Sequence, residues 1–200
     1  MKIKICGLTR PEDILAASSV RPDYIGFVFA TGRRRTVAPE QAKALKALLD
    51  PSIPAVGVFV DQSTEEITTL LEQGIIDIAQ LHGHETEEQV QKIKALSGKP
   101  VIKAFKVTSR EDILRWQESS ADYLLLDAGQ GSGKQFDWSL LSAASRPYFL
   151  AGGINTGNIA EALKMPGLYC IDVSSGAETD GRKDPAKMQA LVQAAHGFNG

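Results

Sequence analysis

Short apolar runs recur eight times along this 200-residue chain, and a longer stretch with helical spacing follows each of them. The runs are "IKIC", "YIGFVF", "AVGVFV", "DIAQL", "VIKAFKV", "YLLLD", "YFLAG" and "CIDVSS". The stretches are "PEDILAASSV", "APEQAKALKALLD", "STEEITTLLEQG", "ETEEQVQKIKALSG", "SREDILRWQESS", "DWSLLSAAS", "NTGNIAEALK" and "DPAKMQALVQAAHG". Strands that are apolar along their whole length are covered on both faces, which implies a parallel sheet. Ser63 with Glu66, and Thr86 with Gln89, stand at capping-box spacing, and Gly74 and Gly98 close the helices so begun. Eight βα units predict an α/β fold, a single closed (β/α)₈ TIM barrel over residues 1–200, with no linker or second domain. An open doubly wound sheet has the same alternation and is the alternative at this point.

Composition narrows the function classes. A formal net charge of −2 gives no electrostatic footprint for nucleic acid or an anionic membrane. No apolar run is long enough to span a bilayer, and "MKIKICGL" is too short and too alternating for a signal peptide. Two cysteines, Cys6 and Cys170, make no disulfide framework, so a reducing cytoplasm is the expected setting. Cys6 closes the first run whereas Cys170 opens the last. On neighbouring strands this is an offset on the order of 10 Å, beyond the ~7 Å limit for a disulfide.

A barrel of this kind carries its active site at the carboxyl ends of its strands. Cys6, Asp61, "QLHGHE", Asp127, "AGGIN" and "DVSSGAE" all fall there. Gly152 and Gly153 precede a helix, and Ser174, Ser175 and Gly176 follow the last strand. Two such turns in the final two units suit an anion held by backbone N–H groups, the common phosphate position of these barrels, although each alone reads as a tight turn. Asp127 ends an apolar strand, either as a turn residue or as a general acid raised by apolar neighbours. Cys6 is either a small core residue or, once ionised, a base. Arg33, Arg34 and Arg35 form a solvated loop or supply one bidentate clamp for a carboxylate. "DAGQGSGKQ" fails the P-loop pattern at Ala128 and Gln135 and reads as a flexible loop over the site. His82, His84 and Glu85 lack the further ligand of a structural zinc spacing, so no metal is expected.

The motifs "KICGLTR", "RRRTVAP", "VGVFVD", "QLHG", "LLLDA…GSGKQFDW", "LAGGI" and "DVSSGAE" followed by "GRKD" resemble, in order from Lys4 to about Lys187, the phosphoribosylanthranilate isomerase family of tryptophan biosynthesis. The resemblance implies a single barrel without a cofactor, acting on a phosphorylated small molecule. It implies Cys6 as general base, Asp127 as general acid and Arg35 as the holder of the anthranilate carboxylate, with Arg34 the neighbouring register. It further implies Gly152, Gly153, Ser174, Ser175 and Gly176 as the phosphate turns. The reaction implied is an Amadori rearrangement. Two rivals are the related aminoaldose isomerase of histidine biosynthesis, where an aspartate is expected in place of Cys6, and a non-catalytic phosphosugar-binding barrel, which needs the turns but not the Cys6–Asp127 pair.

Overall fold

Strands β1 (Lys2–Cys6) and β8 (Leu168–Val173) pair in parallel, Lys2 opposite Cys170 and Ile5 opposite Val173, and this pairing closes the sheet. The computed structural model describes residues 1–127 and 137–198. Between the closing strands run β2 (Tyr24–Val28), β3 (Ala55–Phe59), β4 (Ile78–Leu81), β5 (Val101–Lys106), β6 (Tyr123–Asp127) and β7 (Tyr148–Leu150), each bonded to its sequence neighbours. The barrel is therefore the architecture, and the open sheet is excluded. The loop reading of "DAGQGSGKQ" falls, from Ala128 to Gln135, outside the described residues.

The helices are α1 (Pro11–Val20), α2 (Pro39–Lys46), α3 (Thr64–Glu72), α4 (Glu87–Ser97), α5 (Arg110–Trp116), α6 (Ile159–Ala162) and α7 (Pro185–His196). Ser63 caps α3 reciprocally with Glu66, and the Thr86 hydroxyl accepts from the Gln89 amide at the start of α4. Two expectations fail. "DWSLLSAAS" forms a 3₁₀ turn at Trp138–Ala143 rather than an α-helix. "NTGNIAEALK" yields only the four-residue α6, because Asn155 and Asn158 turn their side chains onto the local backbone. The Asn155 amide donates to the Asn158 side chain, and the Gly157 amide donates to the Asn155 side chain. A hairpin of β9 (Glu178–Thr179) and β10 (Arg182–Lys183) was not foreseen.

Strand alternation divides the side chains between two compartments. Ile3 and Ile5 of β1 face outward, into the large cluster shared with Ile14, Ile25, Leu191 and Val192. A smaller cluster of Val56, Ile78, Ile102, Leu125, Phe149 and Cys170 fills the barrel. At the amino-terminal end Tyr24, Tyr123, Phe149 and Tyr169 stack or tilt against one another, and Lys2 donates to the Tyr169 hydroxyl at 3.0 Å. These rings fill the amino-terminal end of the barrel, and the polar interior lies above them toward the carboxyl end. Cys170 is the third residue of β8 rather than its first, level with Lys2 and four residues below the level of Cys6, and both thiols are free.

Candidate active site

Period-two alternation carries β1 inward at Lys4 and again at Cys6. The Cys6 sulfur leans over Gly26 of β2, where a Cβ would lie only 2.7 Å from Sγ, so the missing side chain makes its room. Burial pushes the Cys6 thiol up. The ammonium groups of Lys4 and Lys183 pull against that rise, while Asp172 adds to it. Gly7 follows with φ of 82°, and a Cβ there would run into the Arg35 side chain. The arginine therefore crosses the chain immediately beyond the thiol. This is the structural reason for "CG" after the first strand.

Asp127 ends β6, nearly buried, and its Oδ2 lies 3.1 Å from His82 Nε2. His82 stands just past β4, with Nδ1 3.0 Å from the Gln80 amide nitrogen. β6 and β1 are separated around the ring by β7 and β8. The turns after those two strands therefore lie between the carboxyl and the thiol.

Those turns bound a cavity of about 370 Å³ lined by Gly153, Asn155, Thr156, Ser175, Gly176, Glu178 and Lys187. Gly152 and Gly153 both have positive φ, 95° and 67°. The backbone N–H groups of Gly153 and Ser175 make no hydrogen bond to any described residue, which leaves two donors for an anion. The Ser174 hydroxyl turns away to donate to the Cys6 carbonyl at 3.1 Å. Gly176 lies against the Ile154 carbonyl so closely that a Cβ would collide with it. The expected helix dipole contributes little here, since α6 is one turn long and begins at Ile159. The turns' own amides and Lys187 at the rim are what the geometry offers.

Arg35 is not idle in this structure. Its Nε donates to Glu178 Oε1 at 2.6 Å and its Nη2 to Oε2 at 2.9 Å; its Nη1 makes no hydrogen bond to a described residue. Arg34, half-exposed, donates to the same Oε2 at 2.5 Å and to the Gly181 carbonyl. Lys183, 2% exposed, adds a third cation at 2.8 Å from Oε1 and also donates to the Ser174 carbonyl. One carboxylate from β9 thus ties the arginine loop after β2 to the turn after β8. The sequence reading missed Glu178 and Lys183, because the hairpin that carries them is two short pairs inside a loop. It also missed Lys4, Gln80 and Asp172. It weighed His82 only as a metal ligand, whereas His82 reaches Asp127. His84 and Asp61 pair with each other outside this group.

Burial alone would push Glu178 up, but hydrogen bonds from Arg35 and Lys183, the Lys183 charge and the bond from Arg34 outweigh it and hold the carboxyl at about 2. An unfolded glutamate titrates at ~4.3. The stabilisation is therefore fully present above that value and is lost as pH falls toward about 2. Between ~4.3 and about 2 the stability gap between wild type and Glu178→Gln should shrink with falling pH, by at most about 1.4 kcal/mol per pH unit. Urea unfolding of both proteins across that range checks it; a gap that stays constant contradicts it.

Known proteins are similar to this chain along nearly its whole length. The family model described as N-(5'-phosphoribosyl)anthranilate (PRA) isomerase matches residues 3–194. The N-(5'-phosphoribosyl)anthranilate isomerase of Endomicrobium trichonymphae is 45% identical over 197 residues, covering 96% of each chain. The crystal structure of phosphoribosyl anthranilate isomerase from Thermus thermophilus superposes with a TM-score of 0.89 at 38% identity, over 98% of this chain and 99% of that one. A further isomerase structure, in complex with reduced 1-(o-carboxyphenylamino)-1-deoxyribulose 5-phosphate, superposes at 0.87 with 33% identity over 99% of this chain and all of the other. With the barrel, the thiol and carboxyl at its mouth and these matches along nearly its whole length, the chain belongs to the phosphoribosylanthranilate isomerase family.

Proposed function

We propose that this protein rearranges N-(5-phosphoribosyl)anthranilate to 1-(2-carboxyphenylamino)-1-deoxyribulose 5-phosphate, the isomerase step of tryptophan biosynthesis, with Cys6 and Asp127 as base and acid. The observation that carries the assignment of roles is the placement of Cys6 on β1 and Asp127 on β6, with the Gly153 and Ser175 turns between them and Arg35 beside the thiol. Asp127 gives its proton to the furanose ring oxygen, the C1′–O bond breaks, and the nitrogen lone pair forms an iminium. The new positive charge acidifies the C2′ hydrogen and favours a thiolate close by. Cys6 takes that proton, and the C–H electrons become the C1′–C2′ double bond of an enolamine. Loss of the C2′ hydroxyl proton and protonation at C1′ give the aminoketose. No electron is gained or lost, so the reaction calls for no redox cofactor. The phosphate sits on the Gly152–Gly153 and Ser174–Gly176 turns.

Residues 1–200 act as one barrel domain on this small phosphorylated substrate. The histidine-pathway rival is disfavoured by a thiol, not a carboxylate, at position 6. Among the described residues no helix is long and apolar enough to cross a membrane. Two free thiols suit a reducing cytoplasm.

Mixing the purified protein with freshly made substrate and following loss of anthranilate-type fluorescence tests the activity; an unchanged decay against the protein-free control contradicts it. Inorganic phosphate or sulfate should compete with substrate. Gly176→Ala, which drives a Cβ into the Ile154 carbonyl, should weaken that competition along with substrate affinity. Equal inhibition constants in wild type and variant would remove the anion from these turns. Arg35→Ala should raise KM far more than it lowers kcat, since it removes a partner for the anthranilate carboxylate and leaves both acid–base groups. Steady-state kinetics of Arg34→Ala beside it fix the register: a damaging Arg34 change with a silent Arg35 change moves the clamp by one residue.

A further inference from the structure

A line of polar side chains crosses the barrel interior beneath the site, buried at Lys4 and Gln80 and partly exposed at His82. Lys4 Nζ donates to both Asp172 oxygens, at 3.0 and 3.1 Å, and to Gln80 Oε1 at 2.9 Å. Gln80 Nε2 lies 3.0 Å from His82 Nδ1, and His82 Nε2 lies 3.1 Å from Asp127 Oδ2. Lys4 is 0% exposed and Gln80 1%.

Each contact dictates the next. An ammonium has only donors, so the Gln80 atom facing Lys4 is the carbonyl oxygen. The amide nitrogen therefore faces His82, and an NH₂ group can only donate. Nδ1 of His82 must then be the bare, accepting nitrogen, which in a neutral ring places the proton on Nε2. The other tautomer would point an N–H at the Gln80 NH₂. Flipping the amide to relieve that clash would turn the NH₂ against Lys4, so the arrangement has no second solution.

We propose that Lys4 and Gln80 are positioning residues that lock His82 as its Nε2–H tautomer, so that His82 donates to Oδ2 of Asp127 and orients the carboxyl that hands its proton to substrate. The step from tautomer to catalysis rests on the isomerase reading above; the tautomer itself does not. The line also begins on the base's own strand, since Lys4 precedes Cys6 by one inward position. One buried lysine thus anchors the chain that orients the acid while its charge acts on the base. Gln80 touches neither substrate nor reacting atoms in this scheme and acts only through His82.

Nitrogen-15 NMR of histidine-labelled protein near pH 8.5, where an imidazole of ordinary pKa ~6.5 is neutral, reads the ring directly. Loss of one signal set in His82→Asn assigns His82 among the three histidines. The expected spectrum has Nδ1 unprotonated and Nε2 protonated. A proton on Nδ1 in the wild type overturns the proposal, and this arm needs no variant of the chain. In Gln80→Glu a carboxylate oxygen replaces the amide donor, so Nδ1 should become protonated. An unchanged Nδ1 in a Gln80→Glu protein whose backbone amide spectrum matches wild type would also overturn it. In the fluorescence assay Gln80→Glu should lower kcat on the order of 10-fold with little change in KM. Unchanged turnover in a variant with the swapped tautomer overturns the positioning role. Absent turnover in the wild type would overturn the isomerase reading, while the labelled spectrum still decides the tautomer.

Discussion

Cys6→Ser is expected to lower kcat at least ~10²-fold while the protein still binds a product analogue. The substitution keeps shape. The space over Gly26 that holds the sulfur accepts a smaller hydroxyl, and Lys4 remains below it. What changes is acidity, because a serine hydroxyl has almost no anion near neutral pH whereas a thiol of pKa ~8.5 has some. Burial raises Cys6 further, so in the resting enzyme the base is mostly thiol, and the iminium charge of the ring-opened substrate supplies the missing pull. Serine gains from the same charge but starts too far away to answer it. Single-turnover kinetics should show binding at the wild-type rate followed by a stalled C2′ proton transfer. Full activity in Cys6→Ser would return the thiol to the role of a small core side chain.

Asp127→Asn should cost at least ~10²-fold at a different step. Asparagine keeps the size of the side chain, and its carbonyl oxygen can still accept from His82 Nε2. It cannot hand a proton to the furanose ring oxygen. Ring opening should therefore stall before any proton leaves C2′. Because the two changes act on consecutive steps of one path, the double variant should lose less than the product of the two single losses. Steady-state kinetics of the four proteins measure this, and strict multiplicativity contradicts a shared path.

The fold was legible because both of its signals are local. Apolar runs such as "YLLLD" mark strands covered on both faces, and the spacing of Ser63 and Glu66 marks where a helix begins. The ends of strands were legible too, and with them Cys6, Asp127 and the two glycine-bearing turns. The polar interior was not. Lys4 and Gln80 look in sequence like ordinary residues of a strand, and only closure of the ring brings β1 within reach of β4 across the interior so that Lys4 meets Gln80. Lys2, Lys4 and Cys6 at alternate positions were the available signal, three polarisable groups on one face of a strand whose other face is isoleucine. Glu178 escaped notice for a related reason. Its weight comes from the convergence of Arg34, Arg35 and Lys183, brought together from loops more than a hundred residues apart. The α6 stretch failed because its asparagines fold onto their own backbone, a local competitor that periodicity does not register.

The claim that Cys6 and Asp127 divide one reaction into base and acid steps is tested most directly with substrate carrying deuterium at C2′. The residual turnover of Cys6→Ser should show a primary isotope effect, because removal of that hydrogen limits it, and that of Asp127→Asn should show none, because ring opening limits it. An isotope effect absent from Cys6→Ser, or larger in Asp127→Asn than in Cys6→Ser, would contradict the assignment.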